Sequence, residues 1–191
     1  MSMILSLRRV SDKKIESLLV TPGDIVWFLT GAGPPDESDF LAKLLGEEKP
    51  DGPQAPGAWV GPSGDEEIDL DKAWHGIHYL LTGTAWEGNG PENFIILGGR
   101  EIGNVDVGYG PARAFSSGEV TQISSALHTV SDADLRKRYA PEKMDALEIY
   151  PVMYREEGES AFDDLRRHFH MLRAFIASTE KKDEGLILYL T

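Results

Sequence analysis

Ile68-Asp69-Leu70-Asp71-Lys72-Ala73-Trp74-His75-Gly76-Ile77-His78-Tyr79-Leu80-Leu81-Thr82-Gly83 is the run around which the rest of the chain is organised. At about 100° per residue, Leu70, Ala73, Trp74, Ile77, Leu80 and Leu81 gather on one side, which predicts an amphipathic helix with a core-facing stripe. On the opposite side Asp71, His75, His78 and Thr82 follow the spacing i, i+4, i+7, i+11. Four groups that donate, accept or carry protons therefore stack along one line. The acids Asp65-Glu66-Glu67 just ahead suit the positive end of such a helix.

Working outward, the N-terminal flank opens on Met3-Ile4-Leu5-Ser6-Leu7, a brief apolar run suited to a buried strand. Ser11 reads as the cap of a short helix carrying Ile15, Leu18 and Leu19, and Thr21-Pro22 as the cap and first position of a second, which ends between Gly31 and Pro35. A third helix is expected from Asp36 to Leu45. Between Gly46 and Gly64, four Pro and five Gly in 19 residues predict a loop, anchored or used as a lid through Trp59 and Val60.

On the C-terminal flank, Asn93-Phe94-Ile95-Ile96-Leu97 reads as the clearest strand. Five glycines between Gly98 and Gly110 then imply a structured loop with room for a short hairpin. Ser116-Ser117-Gly118-Glu119 fits a capping box, and Ser131-Asp132-Ala133-Asp134 repeats the grammar. Pro141 opens one more turn, and Glu148 to Tyr154 is expected to be extended, with Tyr150-Pro151 trans. Phe162, Leu165, Phe169, Leu172 and Ile176 mark a long helix from Ser160 to about Glu180, and Leu186 to Leu190 a terminal strand paired with Phe94–Leu97 or with the N-terminal strand.

Composition removes several classes of function. The 191 residues include 19 basic and 32 acidic side chains, a formal charge of -13, so nucleic acid is not an expected partner. The absence of cysteine excludes disulfides, thiolate zinc sites and thiol nucleophiles, and fits a reducing compartment. No signal-peptide core and no long apolar run is present, so a soluble cytoplasmic protein without a membrane partner is expected.

The Asp71, His75, His78, Thr82 stripe admits three readings. Asp71 orients a histidine for proton transfer; the histidines share a metal, although His-x-x-His lacks the glutamate of the zincin motif; or the histidines are structural and bond backbone carbonyls. The glycine-rich stretch matches no nucleotide-binding fingerprint. Arg100 and Arg113 flank it, and either clamp an anion or pair with the many acids. His168 and His170, two apart on the last helix, are expected on its surface or flank.

The strings Asp71 to Gly83, Gly98-Gly99 with Ile102-Gly103, Gly108-Tyr109-Gly110-Pro111-Ala112-Arg113 and Ile149-Tyr150-Pro151 resemble, in order over nearly the whole chain, the YfbM-like family, a domain of unknown function. The resemblance implies a small, stand-alone, mostly bacterial cytosolic α+β protein, with no established reaction and no catalytic residue to carry over. It groups His75, His78, Tyr109, Arg113 and Tyr150 among the defining strings.

Together these readings predict an α+β fold in one domain over residues 1–191. A small mixed or antiparallel sheet from the Met3, Asn93 and Leu186 segments is packed by several helices. The leading functional expectation is a pocket between the His75/His78 face and the Tyr109–Arg113 loop that binds a small anionic ligand. In it Arg100, Tyr109, Arg113 and Tyr150 hold the ligand, and His75, His78 and Asp71 supply any proton-transfer chemistry. No metal is assigned, and no cofactor is named. The rival expectation is a non-catalytic protein-interaction factor of immunity or regulatory type, whose acidic surface meets a basic partner.

Overall fold

The structure, a computed structural model, describes residues 2–31 and 66–191. The expected third helix and the Trp59/Val60 anchor lie outside the described residues. One five-stranded sheet has the order β2-β1-β5-β4-β3. Its strands are β1 (Leu5–Val10), β2 (Glu67–Asp69), β3 (Arg100–Asp106), β4 (Pro111–Phe115) and β5 (Gly185–Leu190), and every pairing is antiparallel.

Strand alternation sorts the side chains onto two faces. Leu5, Leu7, Leu186, Leu188 and Phe115 enter the larger core, while Val10, Ile187, Tyr189, Ala112 and Ala114 enter a smaller one on the opposite face. The smaller core is closed by α1 (Asp12–Val20) and α2 (Asp24–Thr30), through Ile15, Leu18 and Ile25. The larger is closed by α3 (Ala73–Thr82), α4 (Ser117–His128), α5 (Asp132–Arg138), α6 (Pro141–Ala146), α7 (Tyr154–Glu157) and α8 (Glu159–Lys181). Each fully buried Leu or Phe on these faces contributes roughly 1.5–3 kcal/mol of burial. The result is α+β, two helical layers about an antiparallel sheet.

Where the cap residues are local signals, the helices begin as the sequence predicts. Ser11 Oγ accepts from Lys14 N–H, and both capping boxes, Ser116–Glu119 and Ser131–Asp134, are closed in both directions. α2 starts later than expected, at Asp24, with Thr21 O accepting from Asp24 N–H in the turn before it.

Several expectations are corrected. Asn93–Leu97 is not a strand: Pro91–Asn93 is a 3-10 turn, and the backbone N–H groups of Ile96 and Leu97 both donate to Asn93 O, so this run packs without joining a ladder. Its apolar residues serve burial, with the Phe94 ring 6.2 Å from Phe115 and edge-on to it. The Arg100–Arg113 stretch is the hairpin for which the sequence leaves room, and it forms the sheet edge, while Glu67–Asp69 is a strand instead of a helix lead-in. Glu148 to Met153 is a turn, not an extended segment, and the Tyr150–Pro151 bond is cis. His168 is 8% exposed, with Nδ1 2.9 Å from Asp164 O, so it belongs to the packed side of α8.

Candidate functional site

The helix that carries the histidines is not amphipathic in place. Every residue of α3 from Ala73 to Leu81 is buried, because α8 covers one side, the sheet another, and the 83–99 loop and the 148–153 turn the rest. A helix buried all round cannot keep a charged stripe, so its two histidines are held neutral.

His75 illustrates how. Its Nδ1 accepts from Tyr150 N–H at 3.0 Å, which leaves Nε2 protonated to donate to Ala85 O at 2.8 Å. Both ring nitrogens are occupied, so neither takes a metal nor accepts a substrate proton. Burial lowers its pKa, with the Ala85 carbonyl acting in the other direction. The ring stacks on Trp74 at 4.9 Å and 9°, and lies 4.3 Å from Trp86.

His78 is equally buried, with Nε2 3.3 Å from Thr82 Oγ1. That hydroxyl donates to His78 O at 2.9 Å, so it can accept from Nε2–H and leave Nδ1 as the bare acceptor. Among the described residues Nδ1 has no hydrogen-bond partner. Burial first, then the neighbouring His75, push the pKa down to about 4, against the Glu87 carbonyl.

Asp71 does not belong to this stripe. It precedes the helix, is exposed and has φ 46°, and the position expected to orient His75 is filled by the Tyr150 amide. Tyr150 is likewise a framework residue. Its hydroxyl accepts from Met3 N–H, its carbonyl accepts from Tyr154 Oη, and its ring stacks on Trp74 at 6.1 Å.

One of several concave sites lies beside the histidines rather than on them. A cavity of about 190 Å³ opens on the larger-core face of β4 and β5, walled by Trp74, Trp86, Ile95, Tyr109, Arg113 and Leu190, among others. Tyr109 stands at the tip of the β3–β4 hairpin. Asp106 Oδ1 accepts from Gly108 N–H at 2.9 Å and from Gly110 N–H at 3.0 Å, and Tyr109 N–H donates to Leu190 O at 3.0 Å. Gly108 has φ 149°, and a Cβ there would lie 2.7 Å from Leu190 O, so only glycine lets the hairpin tip close on the end of β5.

Arg113 forms part of the wall from β4. It donates through Nη1 to Gly98 O at 2.8 Å and through Nη2 to Ile95 O at 2.6 Å, fastening the loop to the sheet. Among the described residues no carboxylate lies within ion-pair distance of it. Burial lowers its pKa to about 10, partly offset by Glu101 on the paired strand.

Arg100 cannot join it. Glu101 pairs with Arg113 and Arg100 with Ala114, so Arg100 faces the opposite side of the sheet and the two-arginine clamp is ruled out. In its place the structure brings in Trp86, which is 55% exposed at the mouth of the cavity beside Tyr109 at 45%. The signal for Trp86 in sequence is the one that marks Trp59, a lone large aromatic in a glycine-rich connection.

A family model described as a domain of unknown function, DUF1877, matches residues 1–189. The chain belongs to this family. Among solved structures, the chain is similar to YfbM from Escherichia coli, a protein of unknown function. It aligns with a TM-score of 0.65 at 18% identity, over 98% of this chain and 99% of that one. At that identity the likeness speaks for the fold alone. No curated protein matches the chain. Among the described residues no group of three or more His, Asp or Glu side chains is placed to hold a metal ion, and no helix is long and apolar enough to cross a membrane.

Proposed function

We propose that this DUF1877 protein is a binding protein for a small anionic molecule, held in the Trp74/Trp86/Tyr109/Arg113 cavity. The observation that carries the reading is Arg113, a half-buried cation in the wall of an aromatic cavity, bonded to two carbonyls and, among the described residues, with no carboxylate within ion-pair distance. A guanidinium has five N–H donors, and two of these are occupied. An anion entering the cavity gains a charge-assisted contact in a partly desolvated setting, where such contacts are stronger than in water.

Binding without chemistry is the simpler use of this geometry. Neither histidine lines the cavity, and both nitrogens of His75 are engaged. The cytoplasm fits a cysteine-free, acidic chain as its place of action.

The test is a thermal-shift and tryptophan-fluorescence screen of the purified protein against carboxylates, phosphates, neutral analogues and amines. Trp74 and Trp86 line the cavity, so fluorescence reads the site directly. A ligand at about 100 times its Kd adds roughly 2.7 kcal/mol, which raises Tm by about 5–10 °C at this chain length. Shifts from anions, absent in Arg113→Met with unchanged circular dichroism, would support the reading. Shifts from amines alone, or no shift from any anion, would overturn it and favour a protein partner on the acidic surface.

A further inference from the structure

We infer that the pocket selects an aromatic monocarboxylate, one ring bearing one carboxylate, over both phosphates and neutral aromatics. This rests on the reading of the cavity as an anion site and narrows it to a chemical class.

Three features of the cavity converge on that class. The first is its wall. Trp74, Trp86 and Tyr109 all line the cavity, and the latter two are about half exposed. Exposed aromatic faces around a concavity are matched by a planar apolar body, which recovers ring contacts that water does not make.

The second is charge. Arg113 is the one cationic side chain among the described residues lining the cavity. Glu101 pairs with Arg113 across the hairpin and so stands on the same face, and the chain as a whole carries -13. A monoanion asks the least of a single guanidinium that Glu101 already partly offsets. A dianionic phosphate would bring a second negative charge with no cation to meet it, into a field already negative. The donor count agrees, because among the described residues three of the five N–H groups have no partner, enough for the two oxygens of a carboxylate, while the three terminal oxygens of a phosphate call for a more extensive set.

The third is size. At about 190 Å³ the cavity is small, on the scale that seats one aromatic ring with a short acidic arm.

The experiment is calorimetric titration of the full-length protein with benzoate, phenylacetate and indole-3-acetate, beside phenylacetamide, phenyl phosphate and acetate. Trp86→Ala and Tyr109→Ala are titrated in parallel. Both side chains are about half exposed, and the Tyr109 contact to Leu190 is made by the backbone, so each variant is expected to keep the native circular dichroism.

The expected result is saturable binding of at least one aromatic carboxylate. Loss of the charge in phenylacetamide, or of the ring in acetate, weakens binding about tenfold or more. Each aromatic variant weakens it about fivefold. Phenyl phosphate binding more tightly than every carboxylate would overturn this inference while leaving the anion reading in place. Acetate binding as well as the aromatic acids would do the same. Phenylacetamide matching phenylacetate, or no binding by any anion, would overturn both.

Discussion

His78 should make this fold acid-sensitive in a window well above the titration of ordinary carboxylates. A histidine free in the unfolded chain titrates near 6.5, whereas this one, 0% exposed and with Nδ1 unpartnered, is pushed down to about 4. The folded state therefore binds fewer protons than the unfolded state between those values, and stability rises with pH across the interval. The neutral imidazole's contribution is fully present above about pH 6.5 and is lost as pH falls toward 4. Linkage between the two pKa values gives about 2 kcal/mol lost from pH 7 to pH 5, or roughly 4–8 °C in Tm for a chain of this length. His75, whose pKa burial also lowers, acts in the same direction. The assay is urea unfolding of wild type and His78→Gln at pH 7, 6 and 5. The glutamine leaves a donor for Thr82 but cannot titrate, so its absolute stability matters less than its slope. The wild type should lose about 2 kcal/mol more than the variant over that range. Parallel pH profiles, or an imidazole that protonates near pH 6 in an NMR titration of the folded protein, would refute the reasoning.

Other substitutions have definite expected outcomes. Gly76→Ala places a Cβ 2.6 Å from both Leu165 Cδ2 and Tyr154 Oη, where α3 meets α8 and the α7 residue Tyr154. The clash should outweigh the helix propensity gained and cost about 1–2 kcal/mol in denaturant unfolding, and a stabilised variant would contradict the packing. Ser116→Ala opens the capping box of α4, in which Glu119 Oε2 accepts from both the amide and the hydroxyl of Ser116 at 2.8 Å. A loss of about 1 kcal/mol, seen as a Tm lower by 2–4 °C, is expected. Trp86→Ala should change stability by less than about 1 kcal/mol, because the ring is 55% exposed, yet should remove the cavity's outer wall. Calorimetry and ligand titration of the same sample separate the two effects.

The parts of the fold that could be read from sequence are those whose signal is local. Ser11, Ser116 with Glu119, and Ser131 with Asp134 close their caps within four residues, so no tertiary contact is needed to recognise them. The apolar spacing of Phe162 to Ile176 repeats over enough turns to override ambiguity. Phe94–Leu97 misleads for the converse reason. A short apolar run records burial, and burial alone does not separate a strand from a packed turn. β2 and β3 escape because an edge strand is charged, short or broken on purpose: Glu67–Asp69 has three residues, and β3 carries Arg100, Glu101, Gly103 and a register shift.

The candidate site divides along the same line, and the division follows from parity. As long as Arg100 to Arg113 reads as a loop, nothing assigns its side chains to faces, and both arginines remain eligible for one clamp. Once Glu101 is paired with Arg113, residues alternate across the hairpin, and Arg100 must lie with Ala114 above the smaller core. The same pairing brings Glu101 onto the side of Arg113, so the site keeps one cation and acquires an acid at its edge. On the proposed reading, an anion pocket with one cation beside an acid narrows to one for a single negative charge, and that narrowing rests on register, which periodicity in one segment does not encode. The histidines show the reverse case. Their spacing was legible, but their role depends on what covers the helix: the Tyr150 amide reaches His75 across 75 positions of sequence and takes the nitrogen that a catalytic base would need.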